Sequence, residues 1–261
     1  MDKGSISGVL VAAAGILIGL LLEGGRVTQI VQPTAAMIVF GGTIGAILLQ
    51  FPLRTVLRAI RSLAQVFFEQ RTHNRELVSL LVGYASQARR AGILSLDAAL
   101  PSLTDPFLRR ALMLAVDGTE PQELRHMMEL ELDHQAEQDE NVPAVFESAG
   151  GFSPTIGIIG AVLGLIQVMQ HLQNIEEVGR GIAVAFVATV YGVGAANLFF
   201  LPAAGKLKIR LREQQTIREM TLEGVASIIE GMNPHMLETK LTGFLVAGET
   251  DAPAAKASEA E

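Results

Sequence analysis

The chain alternates between long uncharged stretches and segments dense in charge. No Asp, Glu, Lys or Arg occurs from Gly4 to Leu22, from Val27 to Leu53, from Ser148 to Ile175, or from Gly181 to Gly205. Each run exceeds the ~18 apolar residues that a helix needs to cross a bilayer, so the pattern predicts four transmembrane helices. The first run follows Met1-Asp2-Lys3, a flank that a secretory signal peptide would share. Glu23-Gly24-Gly25-Arg26 comes directly after it, where a small-residue cleavage site would be needed, so it reads as a span.

The polar segments carry helix punctuation and no strand alternation. Asp105-Pro106 reads as an N-cap followed by proline in the first turn, opening a helix through FLRRALMLAV that stops near Gly118. Thr119 and Gln122 match a capping box for a next helix, TEPQELRHMMELELDHQAEQDE. The expectation is an all-α membrane protein: four transmembrane helices with a helical cytoplasmic domain between spans two and three. Residues 1–53 hold the first two spans and a short periplasmic loop, 54–148 the cytoplasmic helical domain, and 149–205 spans three and four. Residues 206–245 form cytoplasmic C-terminal helices, and 246–261, small and polar, a disordered tail.

Orientation follows from the bases near the span ends. Arg54, Arg58 and Arg61 follow span two, and Lys206, Lys208, Arg210 and Arg212 follow span four, whereas the short connections 23–32 and 171–180 hold only Arg26 and Arg180. Both large polar segments and both termini are therefore expected inside the cell.

Composition removes several classes of function. The absence of cysteine excludes structural disulfides and thiolate metal sites, and a net charge of −7 does not suggest nucleic-acid binding. His126, Glu129, Glu131, Asp133 and His134 share a helix, but the histidines are eight apart and lack the H-E-x-x-H arrangement, so a solvated acidic face is the expected reading. No nucleophile motif, phosphate loop or dinucleotide fingerprint is present; neither an enzyme nor a bound cofactor is indicated.

Span three reads SPTIGIIGAVLGLIQVMQ, with Gly157, Gly160 and Gly164 behind Pro154. Such residues let a second helix come close. Span four offers a matching small face of Ala185, Ala188, Thr189, Gly192, Ala195 and Ala196. Thr189, Tyr191, Asn197, Gln167 and Gln170 could line a wet path, and a lone Thr can instead bond the carbonyl one turn back in its own helix. No span carries an ionisable residue of the kind that relays protons or cations through lipid, so a conducting chain would need a partner to bring it. Pro154 and Pro202 are placed at one depth, where spans three and four meet the cytoplasm. They read as helix-end punctuation or as a mechanical joint. In QARRAGILSLDAAL, Arg89, Arg90 and Asp97 flank Gly92, either as a solvated surface or as charges that steer a partner.

The blocks VFESAGGFSPTIGIIGAVLGLIQVM, GIAVAFVATVYGVGAANLFFLPAAGKLK and RRAGILSLD, with LLEGG near residue 23, resemble the MotA/PomA family of flagellar-motor stator subunits, most closely its MotC-like branch. The resemblance implies that Arg89 and Asp97, with Arg90 adjacent, contact the rotor switch protein FliG; Asp97 stands where the family commonly has Glu. It implies that Pro154 and Pro202 couple ion flow to motion, and that Thr189 lies on the ion path. It also implies a MotB-like partner whose single span carries an essential Asp and whose outer domain grips peptidoglycan. A pentamer of this chain would surround a partner dimer in the bacterial inner membrane. Ala161 stands where sodium-driven members tend to carry Thr, which favours protons, since one hydroxyl fewer leaves a poorer cage for a hard cation. The competing readings are a sodium-driven stator, an ExbB/TolQ-like energiser (weighed down by its usual three spans), a lone secondary transporter and a scaffold.

Overall fold

In the computed structural model, residues 2–68 and 74–245 are described, and the expected disordered tail at 246–261 lies outside them. Nine α-helices follow one another among the described residues: α1 Lys3–Leu22, α2 Pro33–Gln50, α3 Leu53–Phe67, α4 Asn74–Ala91, α5 Pro106–Val116, α6 Pro121–Gln170, α7 Ile175–Ala195, α8 Leu201–Ile229 and α9 Pro234–Thr242. Short 3-10 turns occupy Val27–Gln29 and Ile93–Ser102, and a π-helical segment, Ala196–Phe200, joins α7 to α8. No strand occurs among the described residues. Four helices are long and apolar enough to span a membrane, and the protein is an all-α, multi-pass membrane protein.

The chain divides into two compact units, Met1–Gln70 with Gln138–Arg210, and Arg71–Glu137 with Leu211–Glu261. The first holds the spans. α1 is apolar on every face and none of its residues from Gly4 to Leu22 is buried within the chain, which suits a helix solvated by lipid. Its twenty residues give about 30 Å, the thickness of the hydrocarbon core. Asp2 caps it, accepting from the N–H groups of Gly4 and Ser5. α2 opens with Pro33 in its first turn and buries every fourth residue, Ala35, Val39, Thr43 and Ile47, a stripe of one residue per turn that faces a neighbour. Its upper part packs with α7 around Ala35, Val39, Val187 and Ala188. Nearer the other end, Ile47 joins Ala59 and Val66 of α3, Val142, Val145, Phe146 and Ala149 of α6, and Ala203, Ala204 and Leu207 of α8.

The second unit has its own core. α4 contributes Val78, Leu81, Tyr84 and Ala85, α5 contributes Phe107, Leu108, Ala111, Leu112 and Ala115, and α6 contributes Leu124, Met128 and Leu132. α5 begins and ends as its sequence predicts: the Asp105 carboxylate accepts from the Phe107 N–H at 2.8 Å, and Gly118 takes φ +81° just past the helix. Glu223 on α8 is the electrostatic centre of this unit, paired with Arg125 of α6 and Lys240 of α9. Hydrogen bonding from Arg125 holds the Glu223 carboxyl at about 2, far below the ordinary carboxylate value.

The structure corrects the proline punctuation. α6 runs unbroken for 50 residues with Pro143 and Pro154 inside it, about 75 Å of helix. Pro154 therefore ends nothing. In transmembrane helices proline is tolerated because neighbouring groups can satisfy the backbone that it frees.

Candidate functional site

The site is the contact between α6 and α7, two antiparallel helices joined through 171–174. Asn174 caps α7 by accepting from the Glu176 N–H, and His171 lies 3.3 Å from Glu177. The glycines of span three are spent on this contact. A Cβ placed on Gly157 would lie 2.9 Å from the Ala188 carbonyl oxygen, and one on Gly160 2.8 Å from the Ala188 Cβ. On Gly164 it would lie 2.8 Å from the Gly181 carbonyl oxygen and 2.9 Å from the Ala185 nitrogen. Gly192 answers from α7, where a Cβ would collide with the Ser153 carbonyl oxygen and lie 3.2 Å from the Pro154 Cα. Real Cβ atoms do not approach backbone so closely, so the two backbones can touch only because these positions lack one.

Ser153 fastens the contact. It is fully buried, and its hydroxyl donates to the Gly192 carbonyl at 3.0 Å. That carbonyl also accepts from the Ala196 N–H, at the start of the π-helical segment. The wide turn continues with the Leu201 N–H donating to the Ala196 carbonyl, five residues back, and Pro202 follows at once. A proline there has no N–H to give, and a π turn next to it is a place where a helix can change its pitch. The irregularity lies on the α7 side, in the π segment between Gly192 and Pro202, opposite the unbroken α6.

The two prolines are not level with each other. Pro154 meets Gly192, and the ten residues from Gly192 to Pro202 correspond to about 15 Å of rise. Antiparallel packing offsets them, because the residue of α7 facing Pro154 is set by the glycine contact and not by distance from the helix end. Thr189 is half-buried against Gly157, one turn from the half-buried Ala161, and its hydroxyl donates to the Ala185 carbonyl at 3.3 Å. Asn197 donates to the Val193 carbonyl at 2.9 Å, while Gln167 and Gln170 are exposed.

Tyr191 does something the sequence does not announce. Its hydroxyl donates to the Ile30 carbonyl at 2.5 Å and accepts from the Gln32 N–H at 3.2 Å, and its ring lies 6.2 Å from that of Phe40. It ties the α1–α2 connection to the C-terminal part of α7, satisfying two backbone groups that lipid could not. The hydrophobic stretch around it gave no hint of a partner 161 residues away. Ser153 was equally hidden; only its place before Pro154 in an apolar run marks it.

In the second unit Arg89 and Arg90 are exposed in the last turn of α4, and Asp97 is exposed in the following 3-10 turn. Gly92, at φ +82°, reverses the chain between them. The Ser95 hydroxyl donates to the Gly92 carbonyl at 2.7 Å and Gln87 donates to the Ser95 carbonyl at 2.8 Å, which fixes the turn. None of the three charges forms an ion pair among the described residues.

Two family models match in tandem: the motility protein A N-terminal region over residues 6–92 and the MotA/TolQ/ExbB proton channel family over 99–220. The chain is 34% identical over 249 residues to motility protein A of Bacillus subtilis, spanning 95% of this chain and 92% of that one. Motility protein A of Helicobacter pylori is 32% identical, over 95% and 97% of the two chains. Among solved structures, the C. jejuni MotAB structure superposes with a TM-score of 0.89 at 31% identity, covering 97% of this chain and 98% of that one. The flagellar MotAB stator complex of Bacillus subtilis gives 0.86 at 33% identity, covering 95% and 98%. This chain belongs to the motility protein A family, the ion-conducting stator subunits of the bacterial flagellar motor.

Proposed function

We propose that the chain conducts protons together with a MotB-like subunit and converts their flow into torque on the flagellar rotor. One observation carries the reading furthest. The α6–α7 contact is close-packed backbone to backbone and lies in spans whose uncharged runs hold no Asp, Glu, Lys or Arg, so the relaying carboxylate must be a partner's. A MotB-like span supplies a single Asp, and its outer domain grips peptidoglycan. The chain assembles as a pentamer around a dimer of that partner, in the inner membrane, with both termini cytoplasmic. The bases at 54–61 and 206–212 support that orientation.

A proton arriving from outside neutralises the partner's Asp beside Thr189. Removing a buried charge changes which packing of α6 against α7 is preferred. Pro154 and the π segment ahead of Pro202 absorb the change in pitch. The ring then turns, and Arg89, Arg90 and Asp97 push on charges of FliG. One elementary charge crossing 100 mV releases about 2.3 kcal/mol, which is enough to bias a bistable contact and far too little to unfold it. Ala161 supports protons over sodium, because an aliphatic side chain offers a hard cation no ligand.

The deciding experiment is swimming in cells deleted for this gene and for any other stator pair, with filaments counted by electron microscopy. Normal filaments that do not turn, rescued only when this chain and its partner return together, are the expected result. Swimming driven by the partner alone would overturn the reading and favour an energiser of outer-membrane processes.

A further inference from the structure

α3 lies crosswise at one end of the spans. It begins three residues after α2 ends at Gln50. At its other end the Phe67 carbonyl accepts the backbone N–H of Asp2 at 2.8 Å. Asp2 is the cap of α1, and its carboxylate pairs with Lys206 at 2.5 Å and Arg210 at 3.7 Å. A helix of about 22 Å thus connects the finish of one span to the start of another on the same side of the membrane. It runs along the surface and not into it.

Around its circumference α3 has three stripes. Ala59 and Val66 are buried, with Val56 and Leu63 beside them in the core shared with α6 and α8. Arg54, Arg58 and Arg61, spaced by four and three residues, are exposed. Between these two runs a second apolar stripe, Leu53, Leu57 and Ile60, which is 60%, 44% and 55% exposed. Arg58 pairs with Asp139 of α6, whereas Arg54 and Arg61 have no ion-pair partner among the described residues. An exposed apolar stripe beside a row of cations, on a helix held in the membrane plane, has the chemistry of the boundary between headgroups and acyl chains. Long basic side chains reach outward from such a position to the headgroups.

We propose that α3 is an interfacial helix that binds anionic phospholipid, with Leu53, Leu57 and Ile60 in the acyl layer and Arg54 and Arg61 on the phosphate headgroups. It rests on the orientation proposed above only in naming the cytoplasmic leaflet, the side where juxtamembrane basic residues meet anionic lipid. Because the same helix end holds Asp2, lipid bound along α3 also supports the anchor of α1.

The test uses the full chain co-purified with its partner subunit, titrated with dioleoyl-phosphatidylglycerol or dioleoyl-phosphatidylcholine and read by native mass spectrometry. The wild type is expected to bind the anionic lipid about tenfold more tightly than the zwitterionic one, a preference that high salt weakens. Arg54→Gln with Arg61→Gln abolishes the preference. Arg54→Lys with Arg61→Lys keeps most of it, since the attraction is between charges. Equal binding of the two lipids by the wild type, or an undiminished preference in the glutamine pair, would overturn the proposal. So would efficient disulfide formation between copies carrying Leu57→Cys, which assigns the stripe to a chain–chain contact. The readout involves no flagellum, so a failed rescue of swimming with the lipid preference intact would sink the stator reading and leave this one standing.

Discussion

α1 and α7 are both apolar helices of about one membrane thickness, yet they are held in opposite ways. α1 buries none of its residues from Gly4 to Leu22 within the chain, and its ion pairing lies at one end, through Asp2. α7 buries Gly181, Ala185, Val187, Ala188 and Gly192 and meets α6 backbone to backbone. Hydrophobicity puts a helix in the bilayer; small residues decide which helix touches another, because apolar surface gains little by moving from lipid to protein. The span with the weaker hydrophobic character is the one built into the close contact.

The largest effect expected from breaking that contrast comes from glycine. Gly192→Val pushes a branched side chain into the Ser153 carbonyl and the Pro154 backbone, neither of which can yield without separating the helices. Loss of the chain from the membrane fraction, with no swimming, is expected. Gly15→Val in α1, where no atom lies within 4 Å of the new Cβ, leaves the membrane level of the chain unchanged. Equal outcomes at the two positions would erase the distinction between the spans.

Pro154→Ala sharpens the same contact more gently. It restores an N–H in mid-helix and removes a ring from the contact without adding bulk. The chain should stay in the membrane at its normal level while swimming speed falls by more than half. Unchanged speed would take Pro154 out of the coupling.

The four spans were legible because charge is excluded from lipid and its absence is visible in one dimension. The start and stop of α5 at Asp105 and Gly118 were legible because capping is local. Pro154 misled for the same reason. The rule that proline ends a helix is drawn from water-exposed helices, and transmembrane helices tolerate proline within them. The offset of Pro154 and Pro202, the bond from Ser153 to Gly192 and the grip of Tyr191 on Ile30 and Gln32 all depend on which residues of distant helices come level. Nothing in either helix alone records that. The matching glycine and alanine faces did foretell that spans three and four would pack closely, and the contact runs along Gly157, Gly160 and Gly164 as their spacing suggested.

Tyr191→Phe tests how far the grip of α7 extends beyond α6. The substitution keeps the ring beside Phe40 and removes only the hydroxyl, so two hydrogen bonds to backbone groups are lost at about 1 kcal/mol each. Faster hydrogen exchange at residues 27–32, with unchanged exchange across the α6–α7 contact, is the expected pattern. Exchange at 27–32 equal to wild type would mean that the connection is held by other groups.

The smallest effect belongs to the charged anchor of α1. Asp2→Asn keeps a side-chain oxygen for the Gly4 and Ser5 N–H groups, since Asn caps a helix as well as Asp does, and removes only the charge that pairs with Lys206 and Arg210. The hydrogen bond from Lys206, reinforced by the Ser5 N–H, holds the Asp2 carboxyl at about 2 against an ordinary value of 3.8. A carboxyl lowered on folding stabilises the folded chain above its ordinary value, and that stabilisation fades as pH falls from about 4 towards about 2. The purified wild type should therefore melt slightly higher than Asp2→Asn at neutral pH, and the gap should close across that acidic window. Other acid-sensitive pairs, Glu223 with Arg125 among them, are common to both proteins and cancel in the difference. A gap that persists to about pH 2 would mean that the charge of Asp2 is not what holds α1, leaving its lipid-facing length, the backbone bond to Phe67 and its contacts with α3 and the π segment to hold it.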